Sequence, residues 1–200
     1  MTKSFVHLHA HTEYSMLDGA AKIVDYLKKV KELNQPAAAI TDHGNLYGAM
    51  EFVQKANDLG IKPIIGYEAY ITPGSRFDRP DRENNKRYHL TLLAENNIGY
   101  QNLVELVSKA YTEGYYYKPR IDYELLDQHH DGLIALSGCL GGELAQHLAP
   151  DGSVEEGNTS NERSFEKALD IAKKYQSIFG KENYFIEIHN HGIKQQLDIL

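Results

Sequence analysis

Residues 6 to 12 read Val-His-Leu-His-Ala-His-Thr, which places histidines at alternate positions near the start of the chain. A β-strand points alternate side chains to opposite faces, so the pattern predicts a strand that presents His7, His9 and His11 on one face. At ~3.3 Å rise per residue, successive imidazoles would be about 6.6 Å apart. This spacing suits histidines that share one metal ion or a close pair of ions, with chance clustering as the alternative.

The composition indicates one large globular domain or part of a longer chain. The 200 residues are 42% hydrophobic, which is enough to form a substantial core. The formal net charge of −7 argues against a protein that coats nucleic acid non-specifically, because such proteins carry a broad basic face. It leaves room for a small site that handles phosphate esters through metal ions. Ten histidines are a high number for this length and favour metal binding.

Cysteine usage and apolar runs predict the cellular compartment. A single cysteine excludes an intrachain disulfide framework, and a reducing cytoplasm is the expected location. Neither the amino terminus nor any later window carries an apolar run of the length that a signal peptide or a membrane span needs. Residues 195–200 resemble the opening of a helix without a cap. We therefore expect residues 1–200 to form one domain that is truncated near its C-terminal end.

Strand-like and helix-like segments alternate along the chain. Predicted strands cover residues 6–11, 37–41, 63–71, 89–93, 133–136 and 184–188. Predicted helices carry the stripe Ile23, Leu27 and Val30, a second stripe that ends before Gly60, and residues 100–111, 143–148 and 165–179. Residues 72–87 and 150–161 are polar and predict loops. Repeated β–α units predict an α/β fold of largely parallel strands, as a barrel or an open doubly wound sheet.

Residues that can bind metal collect where the predicted strands end, which is also where catalytic groups collect in barrels of parallel strands. They are His9, His11, Asp42, His43, Glu68, Cys139, His189 and His191. Imidazole, carboxylate and thiolate ligands together suit zinc and tolerate manganese or iron. A carboxylate such as Glu68 is able to bridge two ions, and paired metal ions ~3.5–4 Å apart are a common device for phosphoester hydrolysis.

Three short motifs resemble those of the polymerase and histidinol phosphatase (PHP) family: His9-Ala10-His11-Thr12, Ile40-Thr41-Asp42-His43 and Gly66-Tyr67-Glu68. Two longer stretches narrow the resemblance. Residues 11–19 read His-Thr-Glu-Tyr-Ser-Met-Leu-Asp-Gly, and residues 89–120 begin His-Leu-Thr-Leu-Leu-Ala and end Gly-Tyr-Tyr-Tyr-Lys-Pro-Arg. Both are similar to the amino-terminal PHP domains of the alpha subunits of bacterial replicative DNA polymerase III. The similarity extends from Phe5 to about Gly192.

The resemblance implies a distorted (β/α)7 barrel of the PHP type, truncated near its C-terminal end, with a trinuclear metal site in its mouth. The family's ligands match seven positions of this chain: His9, His11, Asp18, His43, Glu68, His89 and Cys139. An Asp-x-His motif with the remaining ligands is expected beyond Leu200. The implied cofactors are two or three Zn²⁺ or Mn²⁺ ions, with Fe or Mg²⁺ as alternatives.

Three further residues are expected to support the ligands rather than to bind metal themselves: His7, Asp42 and His191. His7 lies deeper in the predicted strand than the ligand histidines, and a packed core histidine is an equal alternative for it. Taken alone, Cys139 would be a buried small hydrophobe. Asp18 taken alone would be a turn or N-cap residue before the following helix.

An aromatic run lies in the longer of the two stretches. Residues 115–117 are tyrosines, and Lys118, Pro119 and Arg120 follow them. Such a run is able to stack on bases and pair with phosphates, and it is equally suited to an interface with another domain. The arginines within residues 72–87 alternate with acidic residues, so we expect a solvated loop there.

The resemblance implies that the parent chain is a DNA-directed DNA polymerase. It also implies that this domain is a metal-dependent phosphoesterase, a proofreading 3′–5′ exonuclease acting on the 3′ end of DNA. The implied partners are DNA, the remaining polymerase domains of the same chain, and the sliding clamp or other replisome subunits, without a membrane. A catalytically silent structural or docking domain is one alternative. A free-standing PHP phosphoesterase is the other, and the stretches at residues 12–19 and 89–120 weigh against it.

Overall fold

The computed structural model describes residues 5–16, 18–148 and 164–199, which contain both helices and strands. In chain order the elements are α1 (Ile23–Glu32), β1 (Ala37–Ile40), α2 (Ala49–Asp58), β2 (Lys62–Ile71), β3 (Tyr88–Ala94), α3 (Asn97–Thr112), β4 (Arg120–Ile121), α4 (Tyr123–Gln128), β5 (Leu133–Leu136), α5 (Glu143–Leu148), α6 (Phe165–Phe179), β6 (Tyr184–Phe185) and α7 (Lys194–Asp198). The short elements β4 and α4 are additional to the predicted ones. The predicted polar insertion at residues 150–161 lies outside the described residues.

The amphipathic helices bury the stripes that the sequence predicts. Ile23, Leu27 and Val30 of α1 are buried against Phe52 and Ala56 of α2, and this cluster includes β1. A larger cluster packs α3 and α6 against β2, β3 and β5. Each buried leucine or phenylalanine contributes about 2 kcal/mol, so these faces hold the helices on the sheet. None of the helices in the described part of the chain has the length and apolar content that a membrane crossing needs.

The described strands form one sheet in the order β1-β2-β3-β5-β6, with β4 beside the end of β2. β1 and β4 pair with β2 in parallel, and β5 pairs with β6 in parallel. β3 runs antiparallel to both of its neighbours, β2 and β5, so it is reversed relative to the other strands of this sheet, which the prediction of largely parallel strands did not include. The loop at residues 72–87 joins β2 to β3 without a described helix, and a parallel return normally uses a helical crossover.

The prediction of a strand at residues 6–11 is wrong, because this segment lies beside β1 without forming a regular strand. The carbonyls of His7 and Ala10 accept hydrogen bonds from the amides of Ala39 and Thr41 at 3.1 and 2.9 Å. The paired residues are therefore three positions apart in this segment but two positions apart on the β1 side, so the pairing is irregular. The amide of Ala10 donates to Oγ1 of Thr41 at 2.9 Å instead of to a backbone carbonyl. The chain bends at His9, which interrupts the expected alternation.

The remaining differences concern the far end of the sheet. β6 ends at Phe185, whereas the sequence predicts a strand through residue 188. β1 and β6 are the two ends of the strand order in the described residues. Closure of this sheet into a seven-stranded barrel therefore stays a prediction.

Candidate metal centre

Glu68, a residue of β2, lies at the centre of a cluster of imidazoles. The cluster is next to the end of the neighbouring strand β1. The side chain of Glu68 is fully buried. The amide of Glu68 donates to the carbonyl of Asp42 at 3.1 Å, and its carbonyl accepts from the amide of Gly44 at 2.8 Å. This continuation of the β1–β2 pairing brings His43 directly beside Glu68.

The two carboxylate oxygens of Glu68 each face two histidines. Oε1 lies 3.3 Å from Nε2 of His9 and 3.1 Å from Nδ1 of His89. Oε2 lies 2.9 Å from Nε2 of His11 and 2.7 Å from Nδ1 of His43. Four of the predicted ligands thus surround a fifth. A carboxylate with both oxygens engaged in this way is suited to bridging two ions.

His9 and His11 approach the same point through the same ring nitrogen. Their Nε2 atoms are 3.2 Å apart. Nδ1 of His9 points away, 2.9 Å from Oε1 of Glu187 and 3.2 Å from Oγ1 of Thr91. When Glu187 accepts the Nδ1 proton, the lone pair on Nε2 is left facing Glu68. These separations fit donors around one ion, because metal bonds to nitrogen and oxygen are ~2.0–2.2 Å long.

His43 connects the buried centre to the surface. Its Nε2 lies 2.8 Å from Oδ2 of Asp18, whose side chain is 57% exposed. Its Nδ1 lies 2.7 Å from Oε2 of Glu68, yet the two atoms are not aligned as a hydrogen bond. Both are buried and have no hydrogen-bond partner among the described residues. A buried nitrogen and a buried carboxylate oxygen left in this way fit a shared cation as their partner.

His89 and Cys139 form the inner side of the cluster. Sγ of Cys139 lies 3.6 Å from Nδ1 of His89 and 3.7 Å from Oε1 of Glu68. A Cβ on Gly141 would lie 2.8 Å from Nδ1 of His89, so the absence of a side chain there leaves room for the ring. Because β3 is reversed, its first residues reach the same edge as the last residues of β1, and Tyr70 near the end of β2 pairs with His89.

The carboxylates control the protonation of the buried rings. Burial lowers the pKa of His9, but Glu187 and Glu68 together raise it to about 10. Burial likewise lowers the pKa of His89, and Glu68 and Cys139 raise it to about 10. For Glu68 burial raises the pKa, yet the histidines, chiefly His89, hold it well below its ordinary value. The cluster therefore holds positive charge against its buried carboxylate, which a metal cation would also supply.

Glu187 also belongs to this site, although it is not among the residues selected from the sequence. Its Oε1 lies 2.7 Å from Nε2 of His189 as well as near His9. Burial raises the pKa of Glu187, but His189 and His9 lower it to about 2. Glu187 lies within the predicted strand at residues 184–188, two positions before His189. In the predicted strand, alternation would place these two side chains on one face, and that pattern is the sequence signal for Glu187, although the observed β6 ends at Phe185.

Asp42 holds the loop that leads from the ligand histidines. Its Oδ1 accepts hydrogen bonds from the amide of Thr12 and from Oγ of Ser15, both at 2.6 Å. Its Oδ2 accepts from Oγ1 of Thr12 at 2.8 Å. Oγ of Ser15 in turn accepts from the amide of His43 at 3.0 Å. Asp42 thereby ties the segment after His11 to the backbone of His43, which agrees with a supporting role.

His7 and His191 lie outside the cluster. The ring of His7 is exposed and meets the ring of Phe5 edge-on, with centroids 4.9 Å apart. His191 is also exposed, and its amide donates to Oε1 of Gln196 at 2.7 Å. The ring of His191 meets the ring of His189 edge-on, with centroids 5.3 Å apart, and His189 in turn contacts Glu187. The supporting role of His7 and His191 stays a prediction.

Overlapping groups of potential ligands fill the site. Within each group the ligand atoms all lie within 4.8 Å of one another, and the groups are His9–Glu187–His189, His9–His11–Glu68, His11–Asp18–His43 and His43–Glu68–His89. Members are shared between neighbouring groups, and Glu68 belongs to two of them. An arrangement in which adjacent groups share ligands suits several ions held close together. Cys139 lies at its margin.

Sequence comparison places the chain in a family. The PHP domain family matches residues 7–191, and the chain belongs to that family. The DNA polymerase III subunit alpha of Thermus aquaticus is 52% identical over 200 residues, which cover 96% of this chain and 15% of that protein. The corresponding subunit of Deinococcus radiodurans is 50% identical over 202 residues, covering 97% of this chain and 14% of that protein. The chain thus spans about 15% of the length of these relatives.

A solved structure shows the same fold. It comes from Bifidobacterium adolescentis and is described as that of a candidate metal-dependent phosphoesterase. Its TM-score is 0.54, with 98% of this chain and 82% of that chain covered and 12% sequence identity. At this level of identity the similarity concerns the mixed α/β fold.

Proposed function

We propose that the chain binds a centre of two or three Zn²⁺ or Mn²⁺ ions, with Fe or Mg²⁺ as alternatives. The proposed ligands are His9, His11, Asp18, His43, Glu68, His89 and Cys139, with an Asp-x-His motif beyond Leu200. The observation that carries the proposal is the convergence of ring nitrogens of His9, His11, His43 and His89 on the two oxygens of the fully buried Glu68, at 2.7 to 3.3 Å. The mixture of imidazole, carboxylate and thiolate donors at this site suits zinc and tolerates manganese.

The proposed reaction is hydrolysis of a phosphodiester. When bound, paired divalent ions lower the pKa of a water molecule and neutralise charge on the phosphate oxygens. Glu68 keeps the surrounding rings in place, and Glu187 orients His9 through Nδ1. The carboxylate of Asp18 is the exposed member of the ligand set and marks the side open to substrate.

The proposed substrate is DNA with a free 3′ end, which makes the domain a proofreading 3′–5′ exonuclease. The support for this substrate is the identity of about half the residues to DNA polymerase III alpha subunits. On the same ground we propose a parent DNA-directed DNA polymerase in the cytoplasm, with its own further domains and the sliding clamp or other replisome subunits as partners. Closure of the sheet into a distorted (β/α)7 barrel belongs to the same proposal.

An exonuclease assay tests this function. The chain is reconstituted with Mn²⁺ or Zn²⁺ and mixed with single-stranded DNA labelled at its 5′ end. We expect stepwise loss of 3′ nucleotides that EDTA abolishes and that His11→Ala reduces at least about 100-fold. His130→Ala is the matched control, because the ring of His130 hydrogen-bonds to the carbonyl of Asp127, away from the cluster.

Two results would contradict the exonuclease assignment. Metal binding without DNA hydrolysis would leave a structural or docking domain. Hydrolysis of small phosphomonoesters, but not of DNA, would favour a free-standing phosphoesterase.

A further inference from the structure

Exposed tyrosines lie beside the metal centre on the side of His43. These are Tyr47, Tyr111, Tyr115 and Tyr117, and we call this set the tyrosine face. Tyr47 and Tyr117 are each 66% exposed. Burial raises the pKa of the Tyr111 hydroxyl, and Tyr47 lies close enough to raise it further. The rings of Tyr111 and Tyr115 stack with centroids 6.1 Å apart. A large area of flat aromatic surface is therefore open to solvent.

A short series of contacts connects the tyrosine face to the metal centre. Tyr70 stacks on the ring of His43 with centroids 5.9 Å apart, and it meets His89 edge-on at 5.3 Å. The hydroxyl of Tyr70 accepts a hydrogen bond from Nζ of Lys118 at 3.3 Å. Lys118 follows Tyr117 directly. Its ammonium group lies against Tyr70, 3.3 Å from the hydroxyl and 5.0 Å from the ring centroid, and Tyr70 in turn contacts the proposed ligands His43 and His89.

The two loops that carry the face are packed together. A Cβ on Gly44 would lie 3.0 Å from Cγ of Pro119 and 3.1 Å from Cε2 of Tyr70. Gly44 precedes Tyr47 by three residues, and Pro119 follows Tyr117 by two. The loop after β1 and the loop before β4 are thus in contact, and each carries an exposed tyrosine close to that contact, Tyr47 and Tyr117.

Tyr117 has an unusual backbone conformation. Its φ angle is +61°, in the left-handed region that non-glycine residues rarely adopt. Tyr116 and Lys118 are bridged across it by a hydrogen bond from the amide of Tyr116 to the carbonyl of Lys118 at 3.1 Å. The turn holds the ring of Tyr117 out in solvent, where burial does not compensate for the strain. Strain at a residue of this kind is most often found at sites that bind ligands.

We propose that the tyrosine face binds the bases of a single-stranded nucleic acid whose backbone reaches the metal centre, with Lys118 pairing with a phosphate. Tyrosine rings stack on bases irrespective of sequence, on surfaces that also carry cations for the backbone phosphates. Lys118 is the cation that the proposal uses, in a chain whose formal net charge of −7 does not suit binding through a broad basic face. This inference rests on the proposed function, because it places the scissile strand beside a hydrolytic site.

Arg120 does not take part in this surface, although it follows Lys118 closely. Its side chain is fully buried. Its guanidinium donates to the carbonyls of Gly114, Arg76 and Asp78 and to Oδ1 of Asn85. The cation of residues 115–120 that the proposal assigns to a phosphate is therefore Lys118, which is partly buried and also donates a hydrogen bond to the hydroxyl of Tyr70.

Fluorescence anisotropy with a fluorescein-labelled oligothymidylate tests the proposal. EDTA is present throughout, so binding is measured without hydrolysis. We expect Tyr47→Ala and Tyr117→Gly to weaken binding about fivefold or more each, while Tyr117→Phe stays within about twofold. Glycine suits the positive φ, so Tyr117→Gly removes the ring without adding strain. Lys118→Ala should reduce the slope of the logarithm of affinity against the logarithm of salt concentration by the amount expected for about one phosphate contact.

Tyr100→Ala is the matched control. Tyr100 is 37% exposed and Tyr111 is 39% exposed, and both lie on α3, about 16 Å apart along the helix axis. Equal weakening in this control, or no effect of Tyr47→Ala and Tyr117→Gly, would overturn the proposal. So would self-association or protein binding that these two variants abolish while DNA binding is unchanged. The chain could bind DNA through these tyrosines and still fail to hydrolyse DNA after metal loading. That result would contradict the proposed exonuclease activity and support the proposed binding of nucleic acid by the tyrosine face.

Discussion

Nδ1 of His9 lies 2.9 Å from Oε1 of Glu187, a residue 178 positions further along the chain. The same carboxylate oxygen lies 2.7 Å from Nε2 of His189. Glu187 therefore determines which nitrogen of His9 faces Glu68 and His11. Carboxylates that accept the second ring proton of a metal-binding histidine fix its orientation and its basicity.

Glu187→Gln should weaken metal binding without unfolding the chain. Loss of the charge removes the preference for a proton on Nδ1 of His9, and such changes typically cost about 10- to 100-fold in metal affinity. Competition between the chain and a chromophoric zinc chelator measures the change. Glu182→Gln, at an exposed position just before β6, is the control. Equal zinc affinities of Glu187→Gln and the wild type would show that Glu187 does not orient the ligand.

Gly141→Ala should displace the ring of His89. The added Cβ would lie 2.8 Å from Nδ1 and 3.0 Å from Cγ of this ring, and the rigid imidazole has to move. We expect fewer bound metal ions and a small change in thermal stability, read by metal analysis and by circular dichroism. In the control Gly74→Ala, the new Cβ meets the carboxylate end of Asp78, which is able to turn away. Full metal content in Gly141→Ala would mean that His89 is not held in place for metal binding.

The carboxyl of Glu143 causes a pH dependence that does not involve the metal centre. It accepts hydrogen bonds from the hydroxyls of Tyr123 and Tyr175. Burial raises its pKa above the ordinary value of 4.5 in spite of these bonds. A carboxyl with a raised pKa in the folded state contributes stability that is fully present below its unfolded-state pKa. This contribution is lost as the pH rises through the folded-state pKa.

Glu143→Gln removes this titration. Relative to the wild type, the variant should therefore gain free energy of unfolding as the pH rises from about 4 to about 8, by about 1.4 kcal/mol for each unit by which the pKa is raised. Urea denaturation at the two pH values measures the difference. Glu166→Gln, at an exposed site in the first turn of α6, should show no such trend. A stability difference that is the same at both pH values would refute this account of Glu143.

Arg120→Met should destabilise the fold rather than change DNA binding directly. Its fully buried guanidinium satisfies the carbonyls of Gly114, Arg76 and Asp78, which would be left without these partners. We expect a loss of about 3 kcal/mol in the free energy of unfolding, measured by urea denaturation. Lys28→Met, at an exposed position on α1, is the control and should change stability by less than about 0.5 kcal/mol. Unchanged stability in Arg120→Met, with lost DNA binding, would instead favour a phosphate-binding role.

The sequence predicts those parts of the structure that depend on local pattern. The stripe Ile23, Leu27 and Val30 is buried as the helical period requires. His43 and Glu68 meet because a strand ends just before one and contains the other, and parallel pairing brings them together. The family resemblance added His89 to the expected ligands, and the structure places that residue against Glu68.

Features that depend on tertiary contacts were not predictable in this way. The regular strand expected at residues 6–11 fails because Oγ1 of Thr41 takes the amide of Ala10. The alternation of apolar residues along the sequence does not reveal that β3 is reversed relative to its neighbours. This reversal allows His89, at the start of β3, to join the site. The burial of Arg120 depends on carbonyls from two separate parts of the chain, Gly114 and the loop at residues 72–87.

The amount of metal bound per chain tests the central claim most directly. Elemental mass spectrometry after reconstitution with zinc and manganese would compare the wild type, Glu68→Gln and the control His130→Ala. Each would be measured in this chain and in a version extended through the expected Asp-x-His motif. We predict about two or three ions per extended chain in the wild type and the control, and a loss of most of them in Glu68→Gln. No bound metal in the wild type, in either length, would contradict the proposed centre.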